Sequence, residues 1–239
     1  MSSGYFSKQV RSWSKAAALA IALATPIATA ATAQTDAPSE QQVSEGEAVQ
    51  TVFAELSDQE QAALTDGQVT VTAKRAGDEG QFVARVLVDA PTETAWEVLT
   101  DYDNFKDFLP NVKDSALLEE AGNRKVFQQL NVVSVVPGVL DIESRVQIAS
   151  VESFPQQVDF ELVGGDLALL EGQWALVPVV SEDEDSADKV LITHQVNIDP
   201  GESSPRGLFF STYRLVLEDS LAAAKTETEA RVASQAEES

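Results

Sequence analysis

Cysteine is absent from the 239 residues, and histidine occurs once. Disulfides, thiolate nucleophiles and Cys-ligated metals are thereby excluded, and His194 alone cannot make a His-rich metal centre. Positive charge is scarce too: 16 Lys and Arg stand against 39 Asp and Glu, a formal net charge of −23. A surface this acidic repels nucleic acid and has no attraction for anionic lipid head groups, so neither is expected as a partner. Long apolar runs are also missing. The strongest extends from Ala16 to Ala24 before Thr25 and Pro26 interrupt it, well short of the roughly 20 residues a membrane span requires. No stable membrane insertion is expected.

That short apolar run has the flanks of an export signal. Lys8, Arg11 and Lys15 precede it and the small-residue stretch "TPIATAATAQ" follows, giving the charged, apolar and A-x-A order of a cleavable leader. Cleavage is expected after Ala33, with Ala30 as the second choice. Removal of residues 1–33 takes away three positive charges and no negative one, which moves the net charge from −23 to −26. The expected destination is an exported compartment, the periplasm or, in a host that has one, the thylakoid lumen. Residues 34–47, "QTDAPSEQQVSEGE", are polar and acidic with almost no large apolar group, the composition of a disordered linker.

A short helical segment is expected over 48–66, where Val49, Val52, Phe53 and Leu56 fall at helical spacing and "SDQE" at Ser57 to Glu60 has the form of a capping box. From Gln68 the apolar period changes to two. Strands are expected at about 68–75, 81–89, 112–120, 124–133, 139–150, 157–163, 167–179 and 189–199, divided by turn signals such as "AGDEG", "EAGN", "VPG" and "VGGD". This is the pattern of a large antiparallel sheet. One substantial helix interrupts it, from Pro91 to Thr100. A second closes the chain, where Phe210, Tyr213, Leu217, Leu221 and Ala224 recur at three- and four-residue steps. After Lys225 the sequence turns polar, and a fraying tail is expected over 226–239. The acidic run "SEDEDSAD" reads as a solvated hairpin loop, since it lacks the spacing and glycine of a calcium loop.

The stretch "VLVDAPTETAWEVLTDYDNFKDFLPNV" at 86–112 resembles the strand–helix–helix opening of the START-like (SRPBCC) superfamily, in particular its polyketide cyclase/dehydrase and coenzyme Q-binding branch. "GDLALLEGQWALVP" at 165–178 and "PRGLFF" at 205–210 are similar to later segments of that branch. The resemblance implies an α+β helix-grip fold over residues 67–225: a curved antiparallel sheet wrapped around a long C-terminal helix, with two short helices after an early strand. It implies little about chemistry, because this fold carries lipid carriers, quinone binders and cyclases alike.

Within that expectation, "DYDNFKDFLPNV" at 101–112 is an elbow between two short helices. Tyr102, Phe105, Phe108 and Leu109 bury their rings and chain there, Asp101 and Asp103 cap the second helix, and Pro110 turns the chain into the next strand. As a calcium loop it fails, because Phe105 stands where an oxygen ligand belongs. Strand parity places Val190, Ile192, His194, Val196 and Ile198 on the inner face, with Leu191, Thr193, Gln195 and Asn197 outside. Trp174 shares the inner face with Ala168, Leu170, Gly172 and Leu176, and Arg145 falls on the outer one. His194 then reads as a buried neutral imidazole satisfied by one or two hydrogen bonds. The candidates for a cavity or its gate are Trp96, Tyr102, Phe105, Phe108, Trp174, His194, Phe210, Tyr213 and Leu217. No catalytic triad, carboxylate pair or metal site can be assembled by spacing, and no cofactor is expected. The leading expectation is a monomeric carrier or binder of a hydrophobic small molecule such as a quinone, isoprenoid, pigment or lipid. A cyclase/dehydrase-type enzyme on the same scaffold, and an interaction module with a filled core and no ligand cavity that presents its acidic face to a protein acceptor, are the alternatives.

Overall fold

The computed structural model describes residues 52–136, 140–179, 188–202 and 205–237. The expected leader, the acidic linker, the first residues of the helical segment, the Pro137–Gly138 turn, the acidic run through Ala187 and the last two residues of the tail lie outside them.

Helix α1 (Asp58–Thr65) starts where the capping box predicts: the Ser57 hydroxyl accepts from the Glu60 amide at 3.3 Å and donates to the Glu60 carboxylate at 3.2 Å. Two strands follow, β1 (Thr70–Ala76) and β2 (Glu79–Val88), then helices α2 (Thr92–Leu99) and α3 (Phe105–Phe108). Six further strands complete the sheet: β3 (Val112–Ala121), β4 (Arg124–Val136), β5 (Leu140–Ser153), β6 (Gln157–Gly165), β7 (Leu169–Val179) and β8 (Lys189–Asp199). Helix α4 (Arg206–Glu237) ends the described chain.

The strands form one antiparallel sheet in the order β1-β2-β8-β7-β6-β5-β4-β3. Each neighbour is a hairpin partner except at β2–β8, where Gly80 pairs with Ile198 and Val88 with Val190. This is the helix-grip α+β fold that the resemblance implies. The period-two reading of β8 holds, with Val190, Ile192, His194, Val196 and Ile198 all buried on the concave face beneath α4. The outer face of β8 is not all solvated, however. Leu191 packs with Leu87 and with Leu64 of α1 in a second small core on the convex side, and Arg85 holds Glu60 of α1 at 3.2 Å. Alternation assigns a residue to a face but does not say whether a helix covers that face.

Two expectations are corrected, the first of them in helix α4. Its buried residues Phe210, Leu217, Leu221 and Ala224 match the predicted stripe, yet the helix does not fray after Lys225 but runs on to Glu237, 32 residues in all. The added turns are fastened by polar groups. Thr228 is fully buried, with its hydroxyl donating to the Ala224 carbonyl at 2.7 Å. Lys225 donates to the Leu87 carbonyl at 2.8 Å, and Arg231 bridges Glu227 at 2.8 Å and Asp101 at 2.7 Å. A search for apolar periodicity cannot register anchors of this kind.

The second correction concerns the elbow. Asn104, whose side chain makes no capping bond to the helix, precedes α3, and neither aspartate caps it. Asp103 instead accepts from the Leu117 amide of β3 at 2.8 Å, while Asp101 accepts from Asn104 at 2.7 Å and from Arg231. The buried Ser115 hydroxyl accepts from the Lys106 amide at 3.2 Å and donates to the Asp103 carbonyl at 3.1 Å. The carboxylates therefore brace the elbow against the sheet on one side and α4 on the other.

Candidate functional site: a cavity between sheet and helix

Between the concave face and α4 the core does not close. A cavity of about 230 Å³ remains, walled almost entirely by apolar side chains. Its floor comes from alternate residues of five strands, among them Phe127, Val146, Ile148, Val158, Phe160, Leu170, Trp174, His194 and Ile198. Its roof is the inner stripe of α4, including Phe209, Tyr213, Val216 and Leu217, and one end is the elbow with Tyr102, Phe105, Phe108 and Leu109.

The elbow end is rigidly built. Tyr102 stacks on Phe127 with centroids 4.3 Å apart, and Phe105 meets Tyr102, Phe108 and Phe127 edge-on. The Tyr102 hydroxyl lies 3.0 Å from Ser150 Oγ and donates to a Glu152 carboxylate oxygen at 2.9 Å. Burial raises the Tyr102 phenol above its ordinary range; the Ser150 bond works against that shift and Glu152 adds to it. Tyr102 is a neutral donor whose hydrogen bonds are committed within the protein.

His194 is placed differently. It pairs across the β7–β8 ladder with Trp174, and the two rings stack at 3.8 Å and 14°. Phe160 meets the imidazole edge-on at 5.4 Å. The expected hydrogen bonds are not there: both ring nitrogens are buried without a partner. The cause is the surrounding sequence, because its ladder neighbours are Trp174 and Ala84 and its own-strand neighbours on the inner face are Ile192 and Val196. With nothing to compensate its desolvation, the imidazole is pushed down to about 3 and stays neutral. Burial likewise raises the Tyr213 phenol, which stacks on Phe209 and meets the edge of Phe82.

Seven of the nine candidates thus come together around one space: Tyr102, Phe105, Phe108, Trp174, His194, Tyr213 and Leu217. Two do not. Trp96 lies on α2, whose Val98 and Leu99 take the cavity side, and its indole packs edge-on against Phe154 at 5.5 Å. Phe210 packs against Phe82 and beneath the Arg75 guanidinium, which stands 4.7 Å from its ring centroid. It closes the β1–β2 end of the core. Conversely, the polar lining residues Gln129, Asn131, Ser144 and Ser150 were not singled out from the sequence. The signal for Ser144 was available, since it lies between Ile142 and Val146 at inner parity.

A family model described as "Polyketide cyclase / dehydrase and lipid transport" matches residues 88–225. No curated protein matches the chain by sequence. Among solved structures, an aromatase/cyclase from Streptomyces superposes with a TM-score of 0.54 at 16% identity, covering 64% of this chain and 96% of that one. A STAR-related lipid transfer protein from Xanthomonas axonopodis gives 0.52 at 20% identity, covering 67% and 93%. A START superfamily protein from Mycobacterium smegmatis gives 0.52 at 16%, covering 62% and 97%. At these identities the superpositions speak for the fold, and the family match covers the elbow, the sheet from β3 to β8 and most of α4. The chain belongs to the polyketide cyclase/dehydrase and lipid transport family, on a START-like helix-grip scaffold.

Proposed function

We propose that the protein is an exported binder or carrier of a hydrophobic small molecule, held in the cavity between the concave sheet and α4. The observation that carries this reading is the cavity itself: about 230 Å³ of space between sheet and helix, lined mostly by aromatic and aliphatic side chains with a few polar groups among them. Removing apolar ligand surface from water supplies about 25 cal/mol per Å². A preformed concave apolar site with a few polar groups is the usual form of a small-molecule pocket. The family's lipid-transport members point the same way. Turnover is the weaker reading. The sole imidazole, pushed down to about 3, is a poor proton shuttle near neutrality, and the Tyr102 hydroxyl is already bonded to Ser150 and Glu152. Export is supported by the basic, apolar and A-x-A order of residues 1–33, and no helix among the described residues is long and apolar enough to cross a membrane.

The test is to titrate the protein with N-phenyl-1-naphthylamine, a neutral apolar fluorophore, while following melting temperature. Saturable binding of one molecule per chain is expected, with stabilisation growing as RT ln(1 + [L]/Kd). Native mass spectrometry of protein purified from its host should show a bound organic mass on a chain beginning near Gln34. No saturable binding, together with a bare mass from the host, would overturn the carrier reading; a chain that still begins at Met1 would overturn export.

A further inference from the structure

His194 is 8% exposed, lines the cavity and leaves both imidazole nitrogens without a hydrogen bond. A phenylalanine or leucine at this position would fill the same space without stranding two polar atoms. The ring is nonetheless held in a defined plane, stacked on Trp174 at 3.8 Å and met edge-on by Phe160. No hydrogen bond selects either of its two flips. A half-turn about χ2 exchanges Nδ1 with Cδ2 and Nε2 with Cε1 while preserving the stack, so a nitrogen can be presented at either edge. Elsewhere in the lining, the Tyr102 hydroxyl is held by Ser150 and Glu152, and Ser144 Oγ is buried without a partner but on no aromatic surface that would fix a ligand's plane.

We propose that His194 is the hydrogen-bonding anchor of the cavity, and that its ligand is a flat, mostly apolar, uncharged molecule carrying a carbonyl or hydroxyl oxygen that bonds to the imidazole edge. A neutral imidazole has one N–H and one lone pair, so it meets a carbonyl through the first or a hydroxyl through the second. Among the described residues no carboxylate lines the cavity to balance a cationic ligand and no Lys or Arg lines it to balance an anionic one, which favours an uncharged ligand. The aromatic surfaces of Trp174, Phe160 and Phe127 favour flatness. The proposal rests on the carrier reading and adds to it which group on the ligand is recognised, and by what.

Menadione and 2-methylnaphthalene share a carbon skeleton and differ by two carbonyl oxygens, and the chain has no cysteine for menadione to alkylate. The ratio of their affinities should favour menadione about tenfold more in the native protein than in His194→Phe, which keeps the stacked ring but loses the nitrogens. The single histidine gives a second measurement on the unaltered chain. With ¹⁵N-labelled histidine, menadione should shift an imidazole nitrogen resonance in the direction of hydrogen bonding, and 2-methylnaphthalene should not. If both probes bind and neither the ratio nor the nitrogen resonance responds to the oxygens, the anchor is wrong and the carrier reading survives. If neither probe binds, the anchor is overturned, and the carrier reading falls with it when N-phenyl-1-naphthylamine also fails to bind and the host protein carries no bound mass. Should His194→Phe fail to fold, the nitrogen resonances of the native protein decide.

Discussion

The two halves of the concave face receive the same helix in opposite ways. Over β1 and β2, α4 is seated directly: Gly80 has no side chain, a Cβ there would lie 2.7 Å from the Phe210 ring, and Phe82, Phe210 and Tyr213 interlock in the space this leaves. Toward β4 and β5 the cavity intervenes, lined there by Gln129, Asn131 and Ser144 of the sheet and, on the helix, by Thr212, Val216 and Ser220. One half is filled by rings admitted by a glycine; the other stays open where the sheet and helix contribute modest and polar side chains to the lining. The fold is common to both halves, and side-chain volume decides which becomes core and which becomes site.

The comparison breaks most easily on its packed side. Leu221 is fully buried, and Leu221→Ala should cost about 2–5 kcal/mol, read from the urea midpoint. A loss near zero would mean that the helix is not seated as described. The next effect probes His194, between the two halves. Its folded value near 3 lies below the unfolded 6.5, so the unfolded chain binds the extra proton between them. The stability this residue contributes is fully present above pH 6.5 and is lost as pH falls toward 3, at up to about 1.4 kcal/mol per pH unit. His194→Phe should flatten that part of the acid limb relative to the native protein, and identical pH profiles for the two would contradict a buried neutral imidazole. The smallest effect belongs to the open side. Ser144 Oγ is buried without a partner, so Ser144→Ala should leave stability unchanged or raise it, by up to about 1 kcal/mol. A loss of 2 kcal/mol or more, roughly the scale of a missing buried bond, would place Ser144 in the packed core instead.

Much of this was legible in the sequence, and the exceptions share a cause. Alternation located all eight strands and put Trp174 and His194 on one face, because burial on one side of a sheet imposes a period of two. The α4 stripe was legible for the same reason at a different period. What escaped depends on pairs distant in sequence. Arg231 extends the helix only because Asp101 is in reach, and Phe210 leaves the cavity only because Gly80 makes room for it. His194 lacks hydrogen bonds only because Ala84 and Trp174, from two other strands, flank it. Periodicity describes what a residue's own element wants, whereas the site is set by what other elements bring to it.

The β2–β8 junction carries a kinetic consequence. Every other strand pair is a hairpin that can close as soon as its turn is made, but β2 must wait for β8, and the pairing of Gly80 with Ile198 encloses most of the domain in a single loop. Such long-range pairing is slow, since the entropy of bringing distant segments together is spent before any contact repays it. Until β8 is available, the β1–β2 hairpin and the site for α4 have no surface to close upon, and the newly made chain has no complete core. Under the export proposed above, a sheet completed only by its last strand would leave the polypeptide threadable through a narrow pore until β8 and α4 have been made.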